Sequence, residues 1–340
     1  TYAGGKIYHP GKMGAHTTDP DHWSDFTTQG SGSPGGPFYS WQADTNGAYK
    51  WGAGTFDIET SNDTQLARHF AQKIKTYNND QPFFMAMGLF RPHLPFNCHK
   101  DFFDLFNPDT LNIPQGYLEN DNADILDGYN GTAQFEEINA EGQWKNAIRA
   151  YLANMAYADF NVGIVLDALS KSIHKDSTII VFTGDHGWHL GEKDRMSKHA
   201  VFDQASRTTF IIYDPSAEGN GKISKKVVSL QDIYPTLVDL CGLPKRDAIQ
   251  GESLKPLLND PNSETWDFPV MMTYSGNNII KTNKWRLIDK GDNSQLYDIE
   301  NDPYEFNNLY NEPGYGPIIS SLRQEIARFL EEGEMVKKNW

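Results

Sequence analysis

The sequence is short of cysteine, of positive charge and of long apolar runs, and each shortage removes a class of protein. Two cysteines, Cys98 and Cys241, cannot build a disulfide-stapled domain; they can form one bridge or stay as thiols. No apolar stretch approaches the ~20 residues that span a bilayer as a helix, so no membrane span is expected. The opening Thr1-Tyr2-Ala3-Gly4-Gly5-Lys6 holds no signal-peptide core, and any export signal is expected to be absent or already removed. Lysine and arginine number 30 against 45 aspartates and glutamates, a formal net charge of -15. A surface of that sign repels nucleic acid and anionic lipid, so neither is an expected partner. Binding of any polyanion would require cations gathered at one place. What the chain does have is bulk: 340 residues, 38% hydrophobic, can bury a sizeable core in one large domain with an appendage.

Residues 1 to about 60 are rich in Gly, Pro, Trp and Ser and lack periodicity, which predicts a loop-rich segment. A helix is expected from Asp63, with Leu66, Phe70, Ile74 and Tyr77 on one stripe, broken at Asn78-Asn79-Asp80-Gln81-Pro82. Phe83 to Phe90 reads as a buried strand ending in Arg91-Pro92-His93-Leu94-Pro95. Residues 97 to 143 read as an irregular insertion, followed by a long amphipathic helix through Ile148, Leu152, Met155, Val162, Leu166 and Leu169. Ser177 to Phe182 is a short apolar strand running into Thr183-Gly184-Asp185-His186-Gly187; Phe210 to Tyr213 is the next strand and Asp232 to Leu240 the next helix. This alternation predicts an α/β fold, a large and mostly parallel sheet covered by helices on both faces. In such sheets chemistry gathers at the carboxyl ends of strands, where His93 and Asp185-His186 fall. Beyond about residue 268, Val270–Tyr274, Ile279–Lys281, Trp285–Ile288 and Gln295–Tyr297 are short strands, and Ile318–Leu330 a closing helix. The expected division is a catalytic domain over 1–267 and a small antiparallel-sheet-plus-helix subdomain over 268–340.

Asp185-His186, at a strand end and followed by a glycine, can ligate a divalent metal; equally, the aspartate could cap a turn beside an incidental histidine. Downstream lie Trp188-His189-Leu190-Gly191-Glu192-Lys193, then Ser197-Lys198, then Phe202 to Arg207. Upstream lie Gly5-Lys6-Ile7-Tyr8-His9-Pro10-Gly11 and Arg91-Pro92-His93-Leu94-Pro95-Phe96. Taken singly, His9 and His93 read as loop histidines packed by prolines. In this order, with the Asp-His segment behind them, they resemble the type I, formylglycine-dependent sulfatases of the alkaline-phosphatase superfamily, nearest the iduronate-2-sulfatase-like branch. Arg91 stands where that branch usually has lysine, and Arg207-Thr208-Thr209 where it usually has proline third. Ser229 to Leu237, Gly251 to Leu258, Leu296-Tyr297-Asp298 and Asp302-Pro303-Tyr304-Glu305 extend the resemblance along the chain.

The resemblance implies an alkaline-phosphatase-like fold and hydrolysis of sulfate esters on carbohydrate, 2-O-sulfated uronic acids among them, in the periplasm, the medium or the lysosome. It implies Ca2+, with Asp185 and His186 completing its site. It makes Lys6, His9, His93 and Lys198 catalytic: Lys6 stabilises the formylglycine, His9 later takes a proton from the sulfated diol, and His93 or Lys198 protonates the leaving oxygen. His93, Lys198 and Arg91 become the substrate-binding set. The family's nucleophile motif, Cys/Ser-x-Pro-x-Arg, does not occur in these 340 residues, and Cys241-Gly242-Leu243-Pro244-Lys245-Arg246 is one residue too long. The paired calcium aspartates that precede the motif are missing too. The nucleophile is therefore expected on a missing N-terminal segment, such as a separate N-terminal polypeptide of the same protein. Two rivals stay open. One is a metal-dependent phosphatase or phosphodiesterase of the same superfamily, since Asp-His also suits zinc. The other is a non-catalytic sulfatase-like binding protein.

Overall fold

The computed structural model describes residues 1–8, 23–27, 39–121, 131–245 and 249–338, with side chains through 333. The chain forms two compact units: Thr1–Gln115 with Thr132–Ser177, and Gly116–Gly131 with Thr178–Trp340.

The first unit contains β1 (Tyr2–Gly5), β2 (Asp25–Thr27), β3 (Trp41–Gln42), β4 (Lys50–Gly54), α1 (Asn62–Thr76), β5 (Met85–Gly88), β6 (Phe96–His99), α2 (Lys100–Phe103), α3 (Thr132–Ala140) and α4 (Trp144–Ser170). β1 lies between β2 and β5, parallel to both. The described residues of 1–60, a stretch expected as loops, thus supply four strands. The reason is visible in β1, whose Tyr-Ala-Gly-Gly has little intrinsic strand preference. Its glycines are there for close approach: a Cβ on Gly4 would lie 2.4 Å from the Thr27 methyl, and one on Gly5, at φ +75°, 2.2 Å from the Gly88 carbonyl.

Helix α1 buries Leu66, Phe70 and Ile74, as its periodicity predicts. Its start is tied to α4 by buried hydroxyls, with Thr64 Oγ1 3.1 Å from the Tyr157 phenol and Ser61 Oγ on the same group. The second sheet runs β3-β4-β6, with β4 parallel to β6 and Trp51 level with Phe96. Trp41 stacks on Trp51 at 4.2 Å, and Phe96 meets Tyr151 of α4 edge-on at 5.6 Å, so this face of the sheet looks toward α4. The expected irregular stretch 97–143 contains α2 and α3 as well. Helix α3 buries only Phe135 and Ile138, too few to print a period on the sequence.

The second unit contains β7 (Ile180–Thr183), α5 (Asp203–Ser206), β8 (Phe210–Tyr213), α6 (Ile233–Leu240), α7 (Lys255–Asn259), β9 (Val270–Tyr274), β10 (Asn277–Lys281), β11 (Trp285–Asp289), β12 (Gln295–Asp298) and α8 (Gly316–Lys338). β7 and β8 pair antiparallel, Phe182 opposite Ile211. A parallel return needs a long crossover, usually a helix. Between these strands the chain offers only a 3-10 turn and the four residues of α5. Strands β9 to β12 form the expected antiparallel sheet, whose Ile280, Leu287 and Leu296 pack on Ile319, Leu322 and Ile326 of α8. Both cysteines are free thiols, Cys98 buried and Cys241 exposed at the end of α6.

Candidate functional site

In the first unit, three of the expected site residues meet around one aromatic ring. Lys6 leaves the carboxyl end of β1, its backbone N–H donating to the Gly88 carbonyl at 2.7 Å. Its ammonium lies 5.4 Å from the centre of the Phe90 ring. The Arg91 guanidinium lies 5.1 Å from the same centre, and so does the His93 ring, tilted by 50°. A ring face attracts cations and supplies packing without neutralising them.

The loop that brings this about is held by its own side chains. Asp63, 3% exposed on α1, accepts the backbone N–H of Phe90 at 2.9 Å and of Arg91 at 3.0 Å. Burial pushes the Asp63 carboxyl above its usual range, while those two N–H groups, Arg91 and Lys6 draw it down. Arg91 is also 3% exposed; it donates to the carbonyls of His93 (2.7 Å) and Pro95 and to Asn97 Oδ1 on β6. Burial brings its guanidinium down to about 10, which leaves it cationic at neutral pH. The peptide bonds Arg91-Pro92 and Leu94-Pro95 are cis. His93 donates from Nδ1 to the Leu94 carbonyl at 2.6 Å, because a carbonyl can only accept. The neutral ring therefore carries its lone pair on Nε2, the nitrogen that gains a second proton in the cation.

In the second unit, Asp185 and His186 follow β7, as the sequence predicts. His186 donates from Nδ1 to the Gly187 carbonyl at 2.8 Å, which places its lone pair on Nε2. That Nε2 stands 3.5 Å from Asp185 Oδ1. The backbone turns tightly here; a Cβ on Gly187 would fall 2.0 Å from the Gln204 carbonyl. Asp185 is largely exposed and its Oδ1 and the imidazole Nε2 lie side by side, so the pair fits as two donors to a divalent ion. Among the described residues no group of three or more His, Cys, Asp or Glu side chains forms a complete metal site.

Lys198 sits on a turn pinned from within. His189 is fully buried and donates twice to the Ser197 carbonyl, from its backbone N–H at 2.9 Å and from Nδ1 at 3.1 Å. Ser197 Oγ accepts from the His199 N–H at 3.0 Å, and the Lys198 carbonyl from Ala200 at 2.9 Å. Burial takes the His189 imidazole down to about 3, so it is neutral and keeps Nδ1–H as the donor. His9, the remaining expected residue, lies outside the described residues.

Sequence reasoning missed Phe90, Asp63 and Asn97 as parts of this arrangement. Phe90 looked like the last residue of a strand, and Asp63 like a helix-start acid; only the fold turns them toward Lys6 and Arg91. A groove between α1 and α4, lined by Arg68, Lys75, Phe160 and Asp167 among others, includes none of the candidate residues.

Lys6 and the Arg91–Pro95 loop follow the parallel strands β1 and β5, Asp185-His186 follows β7, and the chain has the alkaline-phosphatase-like α/β fold. A solved structure of a protein with its substrate D-glucosamine-2-N,6-O-disulfate has this fold, with a TM-score of 0.68 at 20% identity, covering 98% of this chain and 80% of that one. The family model described as Sulfatase matches residues 14–243, and that of the N-sulphoglucosamine sulphohydrolase C-terminal region matches residues 184–332. The chain belongs to the sulfatase family. A sulfatase of Formosa agariphila is 33% identical over 259 residues, 74% of this chain and 50% of its own length. Iduronate 2-sulfatase of Homo sapiens is 26% identical over 353 residues, 89% of this chain and 59% of its own. The chain spans about half the length of the first curated relatives it matches.

Proposed function

We propose that this chain supplies the sulfate-binding cations, the proton donor and two calcium donors of an enzyme that hydrolyses sulfate esters on carbohydrate, 2-O-sulfated uronic acids being the substrate the resemblance favours. The observation that carries this is the meeting of Lys6, Arg91 and His93 around Phe90, with Asp63 holding the loop. In a chain of net charge -15, such a gathering of cations suits an oxyanion.

The reaction breaks the S–O bond of the ester and adds water overall, giving the free sugar hydroxyl and sulfate. Charge moves onto the leaving oxygen as that bond opens. Protonated His93 can give its Nε2 proton to that oxygen, with Nδ1–H held by Leu94 throughout. A placed acid of this kind contributes ~10²–10⁴-fold. Lys6 and Lys198 are assigned to the anionic oxygens, where positive charge already in place needs no reorganisation. Arg91 reaches them chiefly through the loop it braces. His9 is assigned the proton acceptor in the closing step. Asp185 and His186 would hold calcium, which when bound supplies positive charge for the nucleophile and the sulfate. The nucleophile of this reading is a formylglycine carried on residues outside these 340, which contain no Cys/Ser-x-Pro-x-Arg.

The division at residue 268 is retained as part of this reading; β10 to β12 share one core with α8, while Ile279, Ile288 and Tyr297 of the same sheet pack on Ala200 to Ala205. The compartment proposed is the periplasm, the medium or the lysosome. Among the described residues no helix is long and apolar enough to cross a membrane.

One observation favours a second reading. The Asp185–His186 pair includes an imidazole, which suits zinc better than calcium and therefore fits a metal-dependent phosphatase or phosphodiesterase. Paired assays on matched sulfate and phosphate esters, with calcium or zinc restored after chelation, separate the two. Calcium-dependent sulfate release is the expected result. Preferential phosphate release with zinc would replace the sulfatase reading, and turnover of neither ester in a correctly folded, full-length protein would leave a binding module.

A further inference from the structure

The β3-β4-β6 sheet has a second face that the proposed reaction does not use. Trp51 and Phe96 lie level in the parallel register, so Lys50 lies level with Pro95, the last residue of the loop that carries His93. Side chains alternate along a strand. Trp51 and Phe96 look toward α4, so Lys50 and Asn97 look the other way. Asn97 accepts from Arg91, which puts the Arg91 guanidinium on the same side as Lys50. Tyr39 belongs there too: the Lys50 ammonium lies 4.3 Å from the centre of its ring.

We propose that Tyr39 and Lys50 form a subsite for the sugar next to the one bearing the scissile sulfate, a sugar that itself carries a sulfate or carboxylate. The proposal rests on the sulfated-carbohydrate reading above and extends it from one sugar to two. Lys50 is half-buried, and among the described residues it has no carboxylate partner; its ammonium rests on an aromatic ring that leaves its charge intact. That is an unusual use of a cation in a chain with 45 acidic residues and 30 basic ones. A flat phenol beside an unneutralised ammonium matches an anionic pyranose, whose C–H face can lie on the ring while its anion meets the lysine. The plain alternative, a lysine stem merely covering a tyrosine, predicts no preference for length of substrate.

Calorimetric titration of the full protein with a sulfated uronate-containing disaccharide, and with the matching sulfated monosaccharide, decides between them. Lys50→Ala and Tyr39→Leu are expected to weaken the disaccharide about tenfold more than the monosaccharide, the scale of one charge-assisted hydrogen bond. Lys50→Arg should restore most of the difference. Equal weakening of both ligands, or no change in either, would overturn the subsite while leaving the sulfatase reading intact. Failure of the unaltered protein to bind either sugar would overturn that reading, and the subsite with it.

Discussion

In the first unit Lys6 and Arg91 lean on the ring of Phe90, whereas in the second unit the buried Arg286 and Lys193 each meet carboxylates. Arg286, 2% exposed on β11, reaches Glu305 at 3.0 Å, Asp203 at 3.3 Å and Ser206 Oγ at 2.9 Å. Asp203 also takes Lys281 of β10 and, at 3.0 Å, Arg207. Lys193 pairs with Asp121 at 2.8 Å and donates to the Glu305 carbonyl. Burial pushes the Asp203 carboxyl up, but Lys281, Arg286 and Arg207 outweigh it and hold it below its ordinary range. Glu305, fully buried, is driven up by desolvation even with Arg286 against it. The same residue type thus does two jobs. Where each cation meets a carboxylate, the matched set fixes the antiparallel sheet to the segment around α5; Lys6 and Arg91 meet an aromatic face instead.

The sharpest way to break this contrast is to remove the centre of the matched set. Arg286→Met leaves the buried Glu305 without its cation and Asp203 with only Lys281 and Arg207, and should cost about 3–5 kcal/mol of stability in urea unfolding. A loss under about 1 kcal/mol would mean that the network is not structural. Next is the pair proposed to hold the metal. Asp185→Ala and His186→Ala should each weaken calcium binding about 10–100-fold by titration, with little change in unfolding midpoint because Asp185 is exposed.

A smaller effect comes from His189. Its folded value is depressed, so below the free-histidine range the unfolded chain binds the proton and the folded chain does not. Stability should therefore drop as pH is lowered from the free value to about 3, at up to about 1.4 kcal/mol per pH unit. His189→Asn, which keeps a donor near Nδ1 but does not titrate, should lack that slope when its acid unfolding curve is compared with the parent's. Asp203 adds a second acid slope to both proteins, because its depressed folded value makes its contribution full above the aspartate range and lost below it. The smallest effect belongs to the exposed Arg68–Glu59 pair, where Arg68→Ala should change stability by less than about 1 kcal/mol.

Much of this was legible in the sequence where period and polarity agree. Helices α1 and α4 and the strands β8 to β12 fall where Leu66-Phe70-Ile74, Ile148-to-Leu169 and the short apolar runs place them. Strands β1 and β4 were not legible, because Gly4 and Gly5 serve close packing and Gly52 and Gly54 carry no side chain, which erases the alternation a strand usually shows. Lys6, Arg91, His93 and the Asp185-His186 pair were legible as motif residues. Their supports were not, since Asp63 and Phe90, and likewise His189 and Ser197, owe their roles to contacts made only on folding.

The central claim is that the cations around Phe90 serve the reaction and those around Arg286 serve the fold. Its most direct test is steady-state hydrolysis of a sulfated disaccharide by the full protein carrying Lys6→Ala, with the unfolding midpoint measured on the same sample. The expected result is a kcat lower by about 10²–10³-fold with the midpoint kept. An undiminished rate, or a collapsed fold, would contradict it.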